Sequence, residues 1–435
     1  MPYPPEQVRS GGWIVAIYKA LAVYDVDDPA FDDYEATVTA AKAAEFLSSI
    51  RSLGRVDAKQ YEIYRRLARI KPKQSIEVLK ELEKLEALEV EWDTRTDPVS
   101  VKAVTASDSS KAAVFATAAT FFEAHNPSAQ ARAAIEVLEA TVHVPVPQAN
   151  IVSALTAKGY SSASVTSTID DLVSTQLLTR TQETESGEPL LYNPHVFKKK
   201  AADAYKILSG LSSSDRDHAL ELLEHVRTKP GVPFPAQTDK KIVTLLAKTG
   251  IIDISGVQLK SGVSTREFPT TPDIWGVFVH DGGLGKDLID DSKLLLNSLR
   301  YGELYSPSSR GRIISPSVLV NSLIARGSVG PATAIGEDYP LPLARGIVSI
   351  TESRLNPGRF FMELRKTDVA ESVRDVLEQN VILPSGVVPA PEILKHGGGS
   401  FYSPESLRAK RQLPDELIEA RDSMVFDLRT YRKRT

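Results

Sequence analysis

Between Arg51 and Lys73 eight basic residues (Arg51, Arg55, Lys59, Arg65, Arg66, Arg69, Lys71, Lys73) stand against Asp57 and Glu62, a surplus of six positive charges. Guanidinium and ammonium groups at this density suit nucleic-acid phosphates, because each neutralised phosphate releases condensed counterions. A solvated helix face paired with the glutamates that follow accounts for the same run, since from Gln74 to Asp93 two lysines face seven acids. His218, Glu221 and His225 in HALELLEH fall on one side of a helix. There they would hold a metal ion, or form the polar border of an apolar stripe made by Ala219, Leu222, Leu223 and Val226. HDGGLGKDLIDD (280–291) has the setting of a phosphate loop, but His280 stands where the first glycine is required and Asp287 where a magnesium-binding hydroxyl is required. An interdomain turn is the better account of it. GxSxG, HExxH and cysteine are absent, so the sequence points to no catalytic residue, no metal site and no cofactor.

The basic run leads into KPKQSIEVLKELEKLEALEVEW (71–92), which begins as a helix and ends as a strand. Pro72 suits a first helical turn, and Ile76, Leu79 and Leu82 give it an apolar side. Carried on through Leu88, a spacing of three would smear the leucines around more than half the circumference, so the chain must turn after about Leu85. LEVEWD (88–93) and VSVKAV (99–104) then alternate with period two around TRTDP, the pattern of a hairpin. Upstream, 41–53 and 57–70 are two short helices separated by Gly54.

Three helices followed by a hairpin, with Leu79 and Leu82 on the third helix and Ala87 and Leu88 where the strand begins, resemble the winged helix-turn-helix superfamily. That superfamily often has glycine at the turn; here Glu86 occupies it. The motif recurs. Ile169, Leu172, Leu177 and Leu178 repeat its spacing, with helices expected at 131–142 and 148–160 and a hairpin over 179–194. Val243, Leu246, Ile251 and Ile252 follow the pattern again, this time with Gly250 at the turn, behind helices at 201–211 and 215–227 and a proline-rich KPGVPFPAQ. A fourth unit offers helices at 288–302 and 315–327 and strand-like runs at 345–353 and 358–366, which a long wing or a small mixed domain would explain.

The resemblance implies that a third helix enters the major groove while the second helix and the wing touch phosphates. In the first unit this selects Arg65, Arg66 and Arg69 and the helix start Lys71, Lys73, Gln74 and Ser75. In the second, Ser162 and Thr166 would either bond phosphates or cap their helix. In the fourth, ten basic residues face five acidic ones from Ser292 to Lys366, and Arg354 and Arg359 bracket a Leu-Asn-Pro turn at the expected wing tip. Arginines there would enter a minor groove or grip phosphate, or simply decorate an exposed hairpin.

At 435 residues the chain calls for two to four units at roughly 100–200 residues each. Its 42% hydrophobic and 25% charged residues are those of a soluble globular protein. WIVAIYKALAVYD (13–25) falls short of the ~20 apolar residues of a membrane span and contains Lys19, and no leader precedes it, so a cytoplasmic protein is expected. A net charge of −4 excludes whole-surface binding to nucleic acid and leaves local patches. The expected architecture is mainly α with small β-hairpins, as tandem winged-helix domains. These are an N-terminal segment with the first winged helix (1–105), a second (106–198), a degenerate third (199–282), a fourth winged-helix-like or small α+β unit (283–380), and a linker with a charged helix (381–435). The expected function is non-catalytic binding of double-stranded DNA, as a regulator or accessory subunit of a nucleic-acid machine. The alternative is a scaffold whose modules bind proteins or further copies of the chain.

Overall fold

Pro5, with no N–H to lose, opens helix α1 (Pro5–Leu21), which is followed by a 3-10 turn (Pro29–Tyr34) and α2 (Glu35–Ile50). The computed structural model describes residues 3–22, 29–51, 53–95, 99–181, 188–197, 201–257, 266–277 and 286–383. After α2 come β1 (Arg55–Asp57), α3 (Ala58–Leu67), α4 (Pro72–Lys84), β2 (Leu88–Asp93) and β3 (Ser100–Ala106), then α5 (Lys111–Ala124). Asp57 starts α3 with a reciprocal capping box: its carboxylate accepts from the Lys59 and Gln60 N–H groups while Gln60 accepts from the Asp57 N–H. The strands form one antiparallel sheet in the order β1-β3-β2.

The same sequence of elements returns in the second unit and, without its first strand, in the third. The second unit runs α6 (Ala129–Val142), β4 (Val146–Pro147), α7 (Gln148–Ala157), α8 (Ser162–Ser174), β5 (Thr179–Thr181) and β6 (Leu190–Tyr192), with sheet order β4-β6-β5. The third has α9 (Pro194–Phe197), α10 (Ala201–Ser209), α11 (Ser213–Thr228) and α12 (Lys240–Thr249) before a two-stranded ribbon, β7 (Asp253–Val257) with β8 (Arg266–Thr270). No first strand joins that ribbon among the described residues.

The fourth unit holds more than the two helices and hairpin expected of it. α13 (Lys286–Leu304) and α14 (Pro316–Arg326) lead to β9 (Ser328–Ala332), α15 (Thr333–Asp338), α16 (Pro340–Ala344), β10 (Val348–Glu352), β11 (Phe360–Leu364) and α17 (Thr367–Gln379). Its sheet places β11 between β9 and β10, so first, third and second strands lie side by side as in the first two units. The phosphate-loop-like glycines fall in 278–285 and the C-terminal charged helix beyond 383, both outside the described residues.

One backbone device turns each third helix into a strand. Glu86, Gln176, Gly250 and Gly346 all adopt the left-handed conformation, at φ 57°, 61°, 74° and 63°. The residue after the turn then donates back to the helix, Ala87 to Leu82 at 3.0 Å, Ile251 to Leu246 at 3.0 Å and Ile347 to Pro342 at 2.9 Å. In the second unit Leu178 donates to Leu172 at 3.0 Å. The turn points the next side chain inward, and Leu88, Leu178, Ile252 and Val348 are all buried.

The first two units share one hydrophobic core, continuous through α1 and α5. Trp13, Ile14, Val15, Ala16, Ile17 and Tyr18 are all buried, so the longest apolar stretch of the sequence is an interior helix. Gly11 permits this: a Cβ there would lie 1.9 Å from the Phe115 carbonyl oxygen of α5. Separate cores serve the third unit, around Leu222 and Leu246, and the fourth, around Leu295, Leu299, Met362 and Val373. Ile274 and Trp275 pack into the fourth core. Among the described residues no helix is long and apolar enough to cross a membrane.

Candidate nucleic-acid interface

In the first unit the basic run divides into internal and outward groups. Arg65 is 4% exposed. Its Nη1 donates to the Ile70 carbonyl, and its Nε and Nη2 donate to Glu62 at 3.2 and 2.8 Å. It therefore closes the turn between α3 and α4 and is not available to a phosphate, contrary to the sequence expectation. Ser75 is likewise internal, buried and donating to the Pro72 carbonyl at 2.8 Å. Arg51 donates to the Ser109 carbonyl, and Arg55 clasps Glu91 with two bonds of 2.7 and 2.8 Å.

What faces outward is Lys59 and Arg66, seven residues apart on one side of α3, and then Arg69, Lys71, Lys73 and Gln74 around the turn into α4. Arg66 has only Glu62, at 3.7 Å. Lys59 was absent from the residues selected by sequence, although its offset of seven from Arg66 was the signal. Arg69 sits in the left-handed conformation at φ 55° and sends its charge inward as well. It acts on the Tyr18 hydroxyl and on Glu45, whose burial pushes its carboxyl up to about 8 against the pull of Arg69, Lys19 and Lys42.

The acids of the third helix and its hairpin are largely consumed within the unit. Glu83 accepts from the Val90 N–H and the Trp92 indole, both at 3.3 Å. Glu81 pairs with Lys84 at 3.2 Å, Glu91 with Arg55 and Lys102, and Asp93 with Arg95. The exposed side of α4 thus carries Lys73, Glu77, Lys80 and Lys84.

The second unit presents less. Ser161, not Ser162, caps α8 by accepting from the Ser164 N–H at 3.1 Å. Ser162 is exposed at the first helical position, and the Thr166 hydroxyl is spent on the Ser162 carbonyl at 2.9 Å. Lys158 and Arg180 pair with Glu136 and Asp170.

In the fourth unit most of the positive surplus is neutralised by nearby acceptors. Arg345 and Lys366 converge on the buried Asp291 at 2.9 and 2.6 Å and, despite its burial, hold its carboxyl below the ordinary range. Lys293, Arg300, Arg310 and Arg365 pair with Asp253, Glu303, Glu337 and Glu363. Arg354 and Arg359 are exposed, and neither side chain has a partner among the described residues. They flank a hairpin tip braced by hydrogen bonds. The Ser353 N–H donates to the Arg359 carbonyl at 2.8 Å, the Arg359 N–H to the Asn356 carbonyl at 3.1 Å, and the Gly358 N–H to Glu352 at 2.7 Å. Leu355, 91% exposed, stands between the arginines.

No family model, curated protein or solved structure matches this sequence. A strip of outward cations along α3 and the start of α4 offers point charges and guanidinium forks to phosphate oxygens. The braced tip at Arg354 and Arg359 is a second such place. Of the histidines of α11, His225 is held by backbone carbonyls, whereas the His218 Nε2 is buried without a partner. His225 Nε2 lies 3.4 and 3.3 Å from the Val232 and Pro233 carbonyls, and His218 approaches Glu221 at 3.7 Å. No group of three or more metal-ligating side chains occurs among the described residues.

Proposed function

We propose that this chain is a non-catalytic double-stranded DNA-binding protein built from winged-helix modules, a regulator or accessory subunit of a nucleic-acid machine. The modules are the first, second and fourth units, with the third a reduced version lacking the first strand. The supporting pattern is helix, strand, helix, helix and hairpin, with the third strand between the other two. A cytoplasmic location belongs to the same proposal.

One observation carries it. In the first unit Glu81 and Glu83, two of the three acids of the third helix, are tied up inside the unit, whereas Lys59, Arg66 and Lys73 remain on its surface with Glu77. Phosphate contact by such groups is worth most at low salt and falls as salt restores the released counterions. Fluorescence anisotropy with a labelled duplex across a salt series tests this. Binding that weakens steeply with salt supports the proposal, and no binding at ~50 mM salt would contradict it.

A protein-binding scaffold is favoured at one place. The third helix of the fourth unit, α16, is PLPLA, five residues without charge and with Leu343 exposed. Such a helix suits an apolar partner surface better than a major groove. In the proposed function that unit meets DNA through its hairpin tip.

A further inference from the structure

The tip of the β10–β11 hairpin carries one group that contact between its arginines and phosphate leaves unexplained. Leu355 is 91% exposed. A lone exposed leucine is ordinary on a protein surface, but the setting of this one is not. From Thr351 to Arg359 every residue except Ser353 is exposed, so the end of the ribbon stands clear of its own unit. The strands behind it pair without interruption from Val348 with Leu364 to Glu352 with Phe360. Beyond the last pair, the bonds that brace Ser353, Gly358 and Arg359 are joined by one from the Asn356 N–H to the Ser353 hydroxyl at 3.2 Å. Pro357 fixes a further backbone angle, and Gly358 takes the left-handed conformation at φ 77°. The leucine is thus held at the apex of a stiff ribbon, and little order is lost when a partner buries it.

That partner must take an apolar side chain and two guanidinium groups together. Arg354 precedes Leu355 directly and Arg359 follows four residues later, both exposed. Glu352, the one carboxylate from Thr351 to Arg359, is occupied by the Gly358 N–H at 2.7 Å. The DNA minor groove meets both demands. Its potential attracts arginine, most strongly where the groove narrows over A·T pairs, and a base step opened from that side accepts a wedge of leucine size. The major groove offers an apolar group little beyond thymine methyls. A lipid surface suits the tip less, since one leucine buries too little apolar area to anchor a protein.

We infer that Leu355 is a wedge that enters a base step from the minor groove, partly unstacks it and kinks the duplex toward the major groove, while Arg354 and Arg359 hold the groove walls on either side. This rests on the proposed DNA binding and names how the fourth unit takes part in it. Pyrimidine–purine steps, TA among them, cost least to open, so the tip selects sequence by deformability and needs no hydrogen bond to a base edge.

The test uses the full chain and a duplex of ~30 base pairs with TA steps at its centre, 2-aminopurine at the adenines of those steps and a donor–acceptor dye pair on its ends. Anisotropy follows binding, 2-aminopurine emission follows unstacking, and energy transfer follows bending. The native chain should raise the emission severalfold and bring the ends closer, with a bend of about 20–90°. Leu355→Ala, at a position with no packing to lose, should keep the Tm and the salt dependence, weaken binding about tenfold and abolish both signals. Leu355→Phe should restore them. Duplex binding by the native chain with neither signal, or both signals undiminished in Leu355→Ala, would overturn the wedge and leave DNA binding standing; no duplex binding at low salt would overturn both. Leu355-dependent binding to phosphatidylglycerol vesicles without any unstacking of DNA would assign the tip to a lipid surface and overturn the wedge as well.

Discussion

Arg65 donates to the Ile70 carbonyl from inside the α3–α4 turn, so its removal leaves a buried acceptor without a donor, whereas Arg66 next to it reaches only solvent and Glu62. Arg65→Ala should therefore destabilise the protein by about 2 kcal/mol and Arg66→Ala by less than about 0.5 kcal/mol, as read by chemical denaturation. Equal effects would remove the distinction between internal and outward cations. Glu45 gives a prediction with a sign. Its folded-state carboxyl titrates at about 8 against an ordinary value of 4.5, so the folded state holds a proton that the unfolded state has released. Its favourable contribution is complete below pH 4.5, shrinks as pH rises and is gone by about 8. Glu45→Gln should flatten the fall in Tm across that window and be the more stable form at pH 8; parallel Tm curves for the two proteins would contradict this. At this scale the sequence conveyed residue types but not their direction. Arg65 and Arg66 are indistinguishable in YRRLARI, and only the packing of α3 buries one and exposes the other. Ser75 and Thr166 were misplaced for a related reason, since a helical hydroxyl satisfies itself on a carbonyl three or four residues back.

The turns after the third helices are the element on which the repeated topology depends. A non-glycine residue in the left-handed conformation costs about 1–2 kcal/mol, which Glu86 and Gln176 bear and Gly250 and Gly346 avoid. Gly250→Ala and Gly346→Ala should each lower stability by about 1 kcal/mol, while Glu86→Gly should be neutral or stabilising, all measurable by denaturant titration. A stabilising Gly250→Ala would mean that the turn is not held as described. The helix-to-strand change at Leu85 was legible because leucines at spacing three cannot continue on one face. Gly346-Ile347-Val348 has the same order as Gly250-Ile251-Ile252, but α16 is only five residues with two prolines, too short for any periodicity to announce it. α5 escaped for the opposite reason. KAAVFATAATFF is apolar on every side, so it has no amphipathic period, and its place beside α1 depends on the contact that Gly11 allows.

Across the whole molecule the units are tied together by more than linkers. Lys111 at the start of α5, itself buried, reaches Asp375 and Glu371 of α17 at 3.3 and 3.6 Å, and the Leu383 N–H also donates to Asp375. Burial raises the Asp375 carboxyl while Lys111 and Arg374 pull it down, as expected of an ion pair held out of water. The recurring helix-to-strand turn was readable from the repeated spacing of its apolar residues; the shared core of the first two units was not, because α1 and α5 contribute surface to both. Under the proposed function the outward cations of separate units would act on one duplex with a raised effective concentration. The measurement that bears most directly on DNA binding compares the salt dependence of duplex affinity for the native chain and for a variant carrying Lys59→Ala, Arg66→Ala and Lys73→Ala, none of which has a buried role. The proposed function predicts a log–log slope shallower by roughly 2 to 3 in the variant, with weaker binding at low salt and an unchanged Tm. An identical slope and affinity in the two proteins, or no duplex binding by either, would contradict it.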